Sequence, residues 1–459
     1  MEAKIMELKK SNNAFNAKET DEDFLEQINS YKQAADIQKH NDKIIKTVSD
    51  QQCTLGDVPK KRPAAIEAFM KKHTADIKKY DDKIARILAA AKDSSGNTLL
   101  YYAAQEGNLY LARLLVKEDA DVNTKDNEDL TPLHAAAISN AKEVAEFLVD
   151  NGADVDARNN IGWTPLHFAA KHNAKDVVEF LVSKGADIYS RGNEGLTPLH
   201  AAALYDIDSV AEFLVSKGVR VNVQSFGSQV PLHCAAVSNV KDVAEFLVDK
   251  GADVKAKEVS DWTPLHFAAH SNAKDVAELL VDKGANIDAR NIYRLTPLHF
   301  ATQFNAKDVA ELLADKGANI DARNIYRLTP LHFAAQFNAN NVAGLLIDKG
   351  VDVGARDNLD WTPLHTTAFF DAGGVAELLV DKGADINARN SNNKTPFEVA
   401  RGEVVTFLAL AKDNSGNTLL HYAAKEGNLD LIELLIKEGA DIDAKNDDNK
   451  APFELALDL

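Results

Sequence analysis

Apolar and polar positions along this chain recur at a fixed step of 33 residues. A Thr-Pro-Leu-His-like tetrapeptide begins at Thr98, Thr131, Thr164, Thr197, Val230, Thr263, Thr296, Thr329, Thr362 and Thr395. In the unit from Thr296, Leu298 and Ala301 fall on one side of a short first helix, and Val309, Leu312 and Leu313 form the stripe of a second. Thr296 is placed to cap the first helix and Pro297 to fill its first turn. Both stripes must be covered by neighbouring units.

Asn305 separates the two predicted helices. Its place is taken elsewhere by Asn140, Asn173, Asp206, Asn239, Asn272, Asn338, Asp371, Gly107 and Gly427, residue types that tolerate left-handed backbone, so a tight turn with positive φ is expected. Gly317 and its equivalents Gly152, Gly185, Gly251, Gly284, Gly350 and Gly383 supply the stop of the second helix. The connector that follows, Ala-Asn-Ile-Asp-Ala-Arg-Asn in this unit, leads into a hairpin-like turn.

These features together, the TPLHFAA segment, the 33-residue period and the connector, resemble the ankyrin repeat over roughly residues 75 to 459. The resemblance implies an all-α solenoid of stacked helix-turn-helix units, with inner and outer helix layers and hairpin-like fingers at one edge. It also implies partner binding on the concave surface formed by fingers and inner helices. The chain departs from the family in placing Asn-Ala or Asn-Val, instead of Gly-His, at most interhelix turns.

The expected organisation is an N-terminal helical region (1–74), a capping helix and linker (75–97), nine regular repeats (98–394), a shortened repeat (395–417) and a final repeat with a half-repeat cap (418–459). In the first region, Thr20 to Asp23 reads as a capping-box start ahead of Phe24, Ile28, Tyr31 and Ala35. Lys60-Lys61-Arg62 reads as a solvated loop. From Thr395 the next motif threonine is Thr418, only 23 residues on, so a shorter first helix or turn, a lost hairpin and an interrupted finger row are expected there. The unit around Thr98 has a second copy 320 residues later, and Gly284–Ala301 is identical to Gly317–Ala334 over 18 residues, the mark of a duplicated repeat.

Composition narrows the function. The net charge is −18, the residues after 92 holding 34 Lys and Arg against 55 acids, and this acidic field disfavours generic nucleic-acid binding. No apolar run is long enough to span a bilayer, the first residues do not read as a secretory signal, and two distant cysteines, Cys53 and Cys234, indicate no disulfide framework. A cytoplasmic, monomeric solenoid is expected, with delivery into a host cell left open.

Nine histidines, His134, His167, His200, His233, His266, His299, His332, His365 and His421, occupy the fourth motif position. The family resemblance makes them structural, bonding backbone and the motif threonine. No phosphate loop, nucleophile elbow or HExxH pattern occurs, so no catalytic or metal site and no cofactor is expected. Specificity should lie where repeats differ. Trp163, Trp262 and Trp361 precede the motif threonine, with Leu295 and Leu328 there in the duplicated pair and Tyr293 and Tyr326 two positions earlier. Tyr205, Phe304, Phe337, Phe369 and Phe370 end the inner helices. All of these except Trp163 are candidate contacts for a protein partner, against the plainer alternative that each packs on a neighbouring finger. The reading is a non-enzymatic scaffold or adaptor. The alternative is the targeting arm of an effector whose activity lies in the N-terminal helices or in a missing C-terminal part.

Overall fold

The computed structural model describes residues 89–90 and 92–456. The helices expected before residue 75, most of the capping helix, Cys53 and the basic loop lie outside the described residues.

Each repeat contributes an inner and an outer helix. The pairs are α1 (Leu99–Gln105) and α2 (Leu109–Lys117), α3 (Pro132–Ile138) and α4 (Lys142–Asp150), α5 (Pro165–Lys171) and α6 (Lys175–Ser183), α7 (Pro198–Leu204) and α8 (Asp208–Ser216), and α9 (Pro231–Ser238) and α10 (Lys241–Asp249). There follow α11 (Pro264–His270) and α12 (Lys274–Asp282), α13 (Pro297–Gln303) and α14 (Lys307–Asp315), α15 (Pro330–Phe337) and α16 (Asn340–Asp348), and α17 (Pro363–Phe370) and α18 (Gly373–Asp381). Last come α19 (Pro396–Val399) and α20 (Glu403–Leu410), α21 (Leu419–Glu426) and α22 (Leu429–Lys437), and α23 (Pro452–Ala456). From α1 to α20 inner helices pack on the inner helices of adjacent repeats and outer helices on outer ones, whereas beyond the shortened repeat α21 packs on α20. This is the all-α ankyrin solenoid.

Local chemistry starts each inner helix. Thr296 holds extended backbone, Pro297 opens the first turn, and the Thr296 N–H donates to Nδ1 of His299 at 3.2 Å. Because that nitrogen accepts, the neutral ring carries its proton on Nε2, which donates to the Leu328 oxygen of the next repeat at 3.2 Å. The same bond recurs from His134 to Trp163, His167 to Leu196, His200 to Gln229, His233 to Trp262, His266 to Leu295, His332 to Trp361, His365 to Lys394 and His421 to Lys450. Small residues such as Ala301 and Ala334, fully buried, let the inner layers approach closely.

A second ladder explains the asparagines between helices. Asn140, Asn239, Asn272 and Asn305 take φ of 51–56°, and each Oδ1 accepts the N–H of a valine 37 residues on, at the start of the next repeat's outer helix. Those helices have alanine at their own cap and no side-chain cap bond there. The cap is therefore supplied by the preceding repeat.

A third ladder joins the fingers. Ile292 N–H donates to Ser260 O, Ile325 to Tyr293 O and Asn358 to Tyr326 O, each at 3.1 Å, in a series that runs from Ser95 to Ser391. It is interrupted at the shortened repeat, where no equivalent bond links Asn392 and Asn414, and resumes with Asp447 N–H donating to Ser415 O at 3.0 Å. There the inner helix α19 has four residues, the chain turns at Gly402 (φ 56°), and Arg401 N–H donates to Ala368 O at 3.0 Å. The connector is shortened to residues 411–417, yet its tip turn survives, Asp413 N–H donating to Asn417 O at 2.8 Å. The expected loss of a hairpin is thus corrected to a shortening of the connector ahead of its tip. Arg389, whose equivalents Arg323 and Arg356 donate to the next finger's backbone, pairs instead with Glu426 in α21.

Candidate functional site

The finger tips are held by their own side chains. Asn291 Oδ1 accepts the N–H groups of Tyr293 and Leu295 at 3.0 and 2.9 Å, and Arg294 closes the turn with φ of 59°. The residue after Asn291, and its equivalents, stands outermost. In four successive fingers it is apolar and exposed: Phe226 (64%), Val259 (58%), Ile292 (52%) and Ile325 (43%). The fingers on either side carry Asn193 and Asn358 there. Each of these four residues donates its N–H to the preceding finger, at Glu194, Gly227, Ser260 and Tyr293 O in turn, so the row is held by the ladder.

The residues proposed from sequence fall into two groups. Tyr205, Tyr293, Phe304, Tyr326, Phe337, Phe369 and Phe370 are half-buried. Phe304 packs on His270 with the rings tilted and their centroids 3.9 Å apart, and Phe337 contacts Phe333 at 6.0 Å. Tyr205 lies under the Lys171 ammonium, 4.8 Å from its ring, and burial pulls that amine down to about 8. Phe369 is engaged by Trp361, Phe370 and the Arg401 guanidinium, the last 4.0 Å from the ring.

Trp262, Leu295, Leu328 and Trp361 belong to the interior, which corrects the expectation that they face a partner. Each has its main-chain oxygen bound by the histidine of the preceding repeat, so its backbone is drawn inward. Trp262 then packs on Phe300 at 4.0 Å and on Phe267 at 5.2 Å. The exposed row of Phe226, Val259, Ile292 and Ile325 was not anticipated. Its signal is an apolar residue four positions before the motif threonine, or Val230, in four consecutive repeats.

One polar feature lies beside this row. Trp262 Nε1, both ring nitrogens of His270 and Asn291 Nδ2 are buried without a hydrogen-bond partner. The Trp262 and His270 rings are 6.2 Å apart. Burial holds His270 down to about 4, so its ring is neutral at pH 7.

The remaining chemistry is structural. Burial lowers His134, His200, His233, His266, His332 and His365 to about 4, and His167 and His299 to about 3. The buried Cys234 thiol is pushed up to about 12, far from a reactive thiolate. Among the described residues no group of three or more His, Cys, Asp or Glu is placed to hold a metal, and no helix is long and apolar enough to cross a membrane.

The comparisons with known proteins agree with this architecture. A family model described as ankyrin repeats (3 copies) matches residues 72–159, 126–191, 151–225, 189–258, 232–324 and 323–390, and a single ankyrin repeat matches 415–447. Among solved structures, the human ASB11 ankyrin repeat domain is similar at 27% identity and a TM-score of 0.44, covering 49% of this chain and 99% of that one. No curated protein matches the chain. The matched repeats take in most of the sequence, and the chain belongs to the ankyrin-repeat family.

Proposed function

We propose that this protein is a non-enzymatic scaffold or adaptor that binds a protein partner along its fingers and inner-helix ends between residues 226 and 372. Ankyrin repeats are general protein-interaction modules, and the observation that favours this stretch is the exposed row of Phe226, Val259, Ile292 and Ile325. Exposed apolar side chains in register, on fingers already joined by backbone bonds, lose little freedom when covered. Tyr293 and Tyr326 follow Ile292 and Ile325 in the chain, and the half-buried Phe304 and Phe337 close the inner helices of the same repeats.

The test uses the full chain as bait at near-physiological salt beside the Phe226→Ser, Val259→Ser, Ile292→Ser, Ile325→Ser variant, with circular dichroism confirming equal helicity. A partner captured by the parent and lost by the variant supports the reading. Equal capture by both moves the site off the fingers.

A further inference from the structure

The residue two before the motif threonine, or Val230, takes positive φ in every regular finger. It is Asp129, Gly162, Gly195, Ser228, Asp261, Asp360 or Asn393 in most of them, and Arg294 (φ 59°) and Arg327 (φ 62°) in the duplicated pair. Arginine gains nothing from left-handed backbone that asparagine or glycine would not gain more cheaply. Both arginines are exposed, and neither forms an ion pair among the described residues. The carboxylate that feels Arg327, Asp357, is buried and accepts the N–H groups of Leu359 and Trp361. Backbone strain retained under two unpaired surface cations points to a bound anion.

Spacing restricts what that anion belongs to. Successive fingers follow the stacking of helix layers, about 8–10 Å per repeat. Same-face residues of a β-strand recur at about 6.8 Å, whereas every third residue of a polyproline II helix recurs at about 9 Å. One repeat further on each side, the same finger position is Asp261 or Asp360, so the row reads acidic, basic, basic, acidic. Ile292, Tyr293, Ile325 and Tyr326 stand beside the arginines and supply apolar and aromatic surface for proline rings.

Resting on the partner-binding reading above, we propose that fingers 284–295 and 317–328 receive an acidic, proline-rich segment of a protein partner in polyproline II form. Carboxylates at positions i and i+3 of that segment meet Arg294 and Arg327, and basic residues three positions further out on each side meet Asp261 and Asp360. The stiff helix binds with little ordering cost, and the guanidinium fork suits a carboxylate.

The probe is a fluorescein-labelled peptide, Lys-Pro-Pro-Glu-Pro-Pro-Glu-Pro-Pro-Lys, titrated with the full chain by fluorescence anisotropy at near-physiological salt. Controls are a peptide of equal charge with four-residue spacing, the charge-swapped peptide and single-stranded oligo-dT. Binding should weaken about threefold for Arg294→Asn or Arg327→Asn and about tenfold for the pair. Asparagine suits the turn, so these variants fold. Equal affinity for the four-residue spacing, indifference to the double variant, or preference for oligo-dT would each overturn the proposal. If the peptide fails while the serine variant of the apolar row still loses its captured partner, the fingers bind by another chemistry. If both fail, the face itself is wrongly assigned.

Discussion

Nε2 of His299 donates to the main-chain oxygen of Leu328 at 3.2 Å, 29 residues along the chain, while Nδ1 of the same ring accepts the Thr296 N–H. One imidazole thus fastens its own helix start and the finger of the next repeat, and only the neutral ring can do both. Replacing His299 by Ala leaves the buried Thr296 N–H without its acceptor, strips the Leu328 carbonyl of one of two bonds, the other coming from the Asn324 N–H, and opens a cavity, at a cost of about 2–4 kcal/mol. Chemical denaturation should show that loss without a change in the far-ultraviolet spectrum of the native state.

The same ladder predicts sensitivity to acid. Eight of its histidines are lowered by burial from 6.5 to about 3 or 4. Because the folded value lies below the unfolded one, the unfolded chain binds more protons between them. The stabilising contribution of the neutral rings is therefore complete above about pH 6.5 and is lost as pH falls through about 4. Denaturant midpoints measured from pH 7 to pH 4 should fall steeply, with uptake of several protons on unfolding. A midpoint unchanged across that window would contradict neutral, buried rings.

The capping asparagines separate two contributions at one position. Asn272 has φ of 53°, and its Oδ1 accepts the Val309 N–H at 3.2 Å. Asn272→Gly keeps the backbone and loses the cap, costing about 1 kcal/mol, whereas Asn272→Ala adds left-handed strain and costs about 2 kcal/mol. Urea unfolding of the two variants should rank them in that order.

That asparagine also shows which parts of the structure were legible in sequence. Its left-handed turn could be read from the alternation with glycine and aspartate, because turn chemistry is local. Its capping role could not, because the bond crosses 37 residues to another repeat. Trp262 and Trp361 were misplaced for the same reason. Burial of Trp262 is set by the next repeat, whose Phe300 ring lies 4.0 Å from the indole. Of the contacts proposed above, Tyr293 and Phe304 stand out in sequence as large residues at variable places, whereas Ile292 and Ile325 look like ordinary core formers until their exposure on the fingers is seen.

Arg327, on the finger before Asp357, predicts a trade-off between stability and binding. Arg327→Gly removes strain at φ 62° and should stabilise the fold by about 1 kcal/mol while weakening the proposed acidic ligand. Thermal unfolding and peptide titration of one variant would reveal both effects.

Asp357 occupies the place where other fingers carry Asn159, Asn291, Asn324 and Asn390. Burial raises its carboxyl from 3.8 to about 6, against the opposing pull of the N–H bonds from Trp361 and Leu359. With the folded value above the unfolded one, the ionised group destabilises the fold at neutral pH, and protonation relieves this as pH falls through about 6. Asp357→Asn keeps an oxygen for the two backbone donors without the buried charge. It should raise stability at pH 7 by about 2 kcal/mol, with the gain shrinking below pH 6 and gone below the unfolded value of 3.8. Paired denaturation curves at pH 7 and pH 5 distinguish this from a packing gain, which would be the same at both.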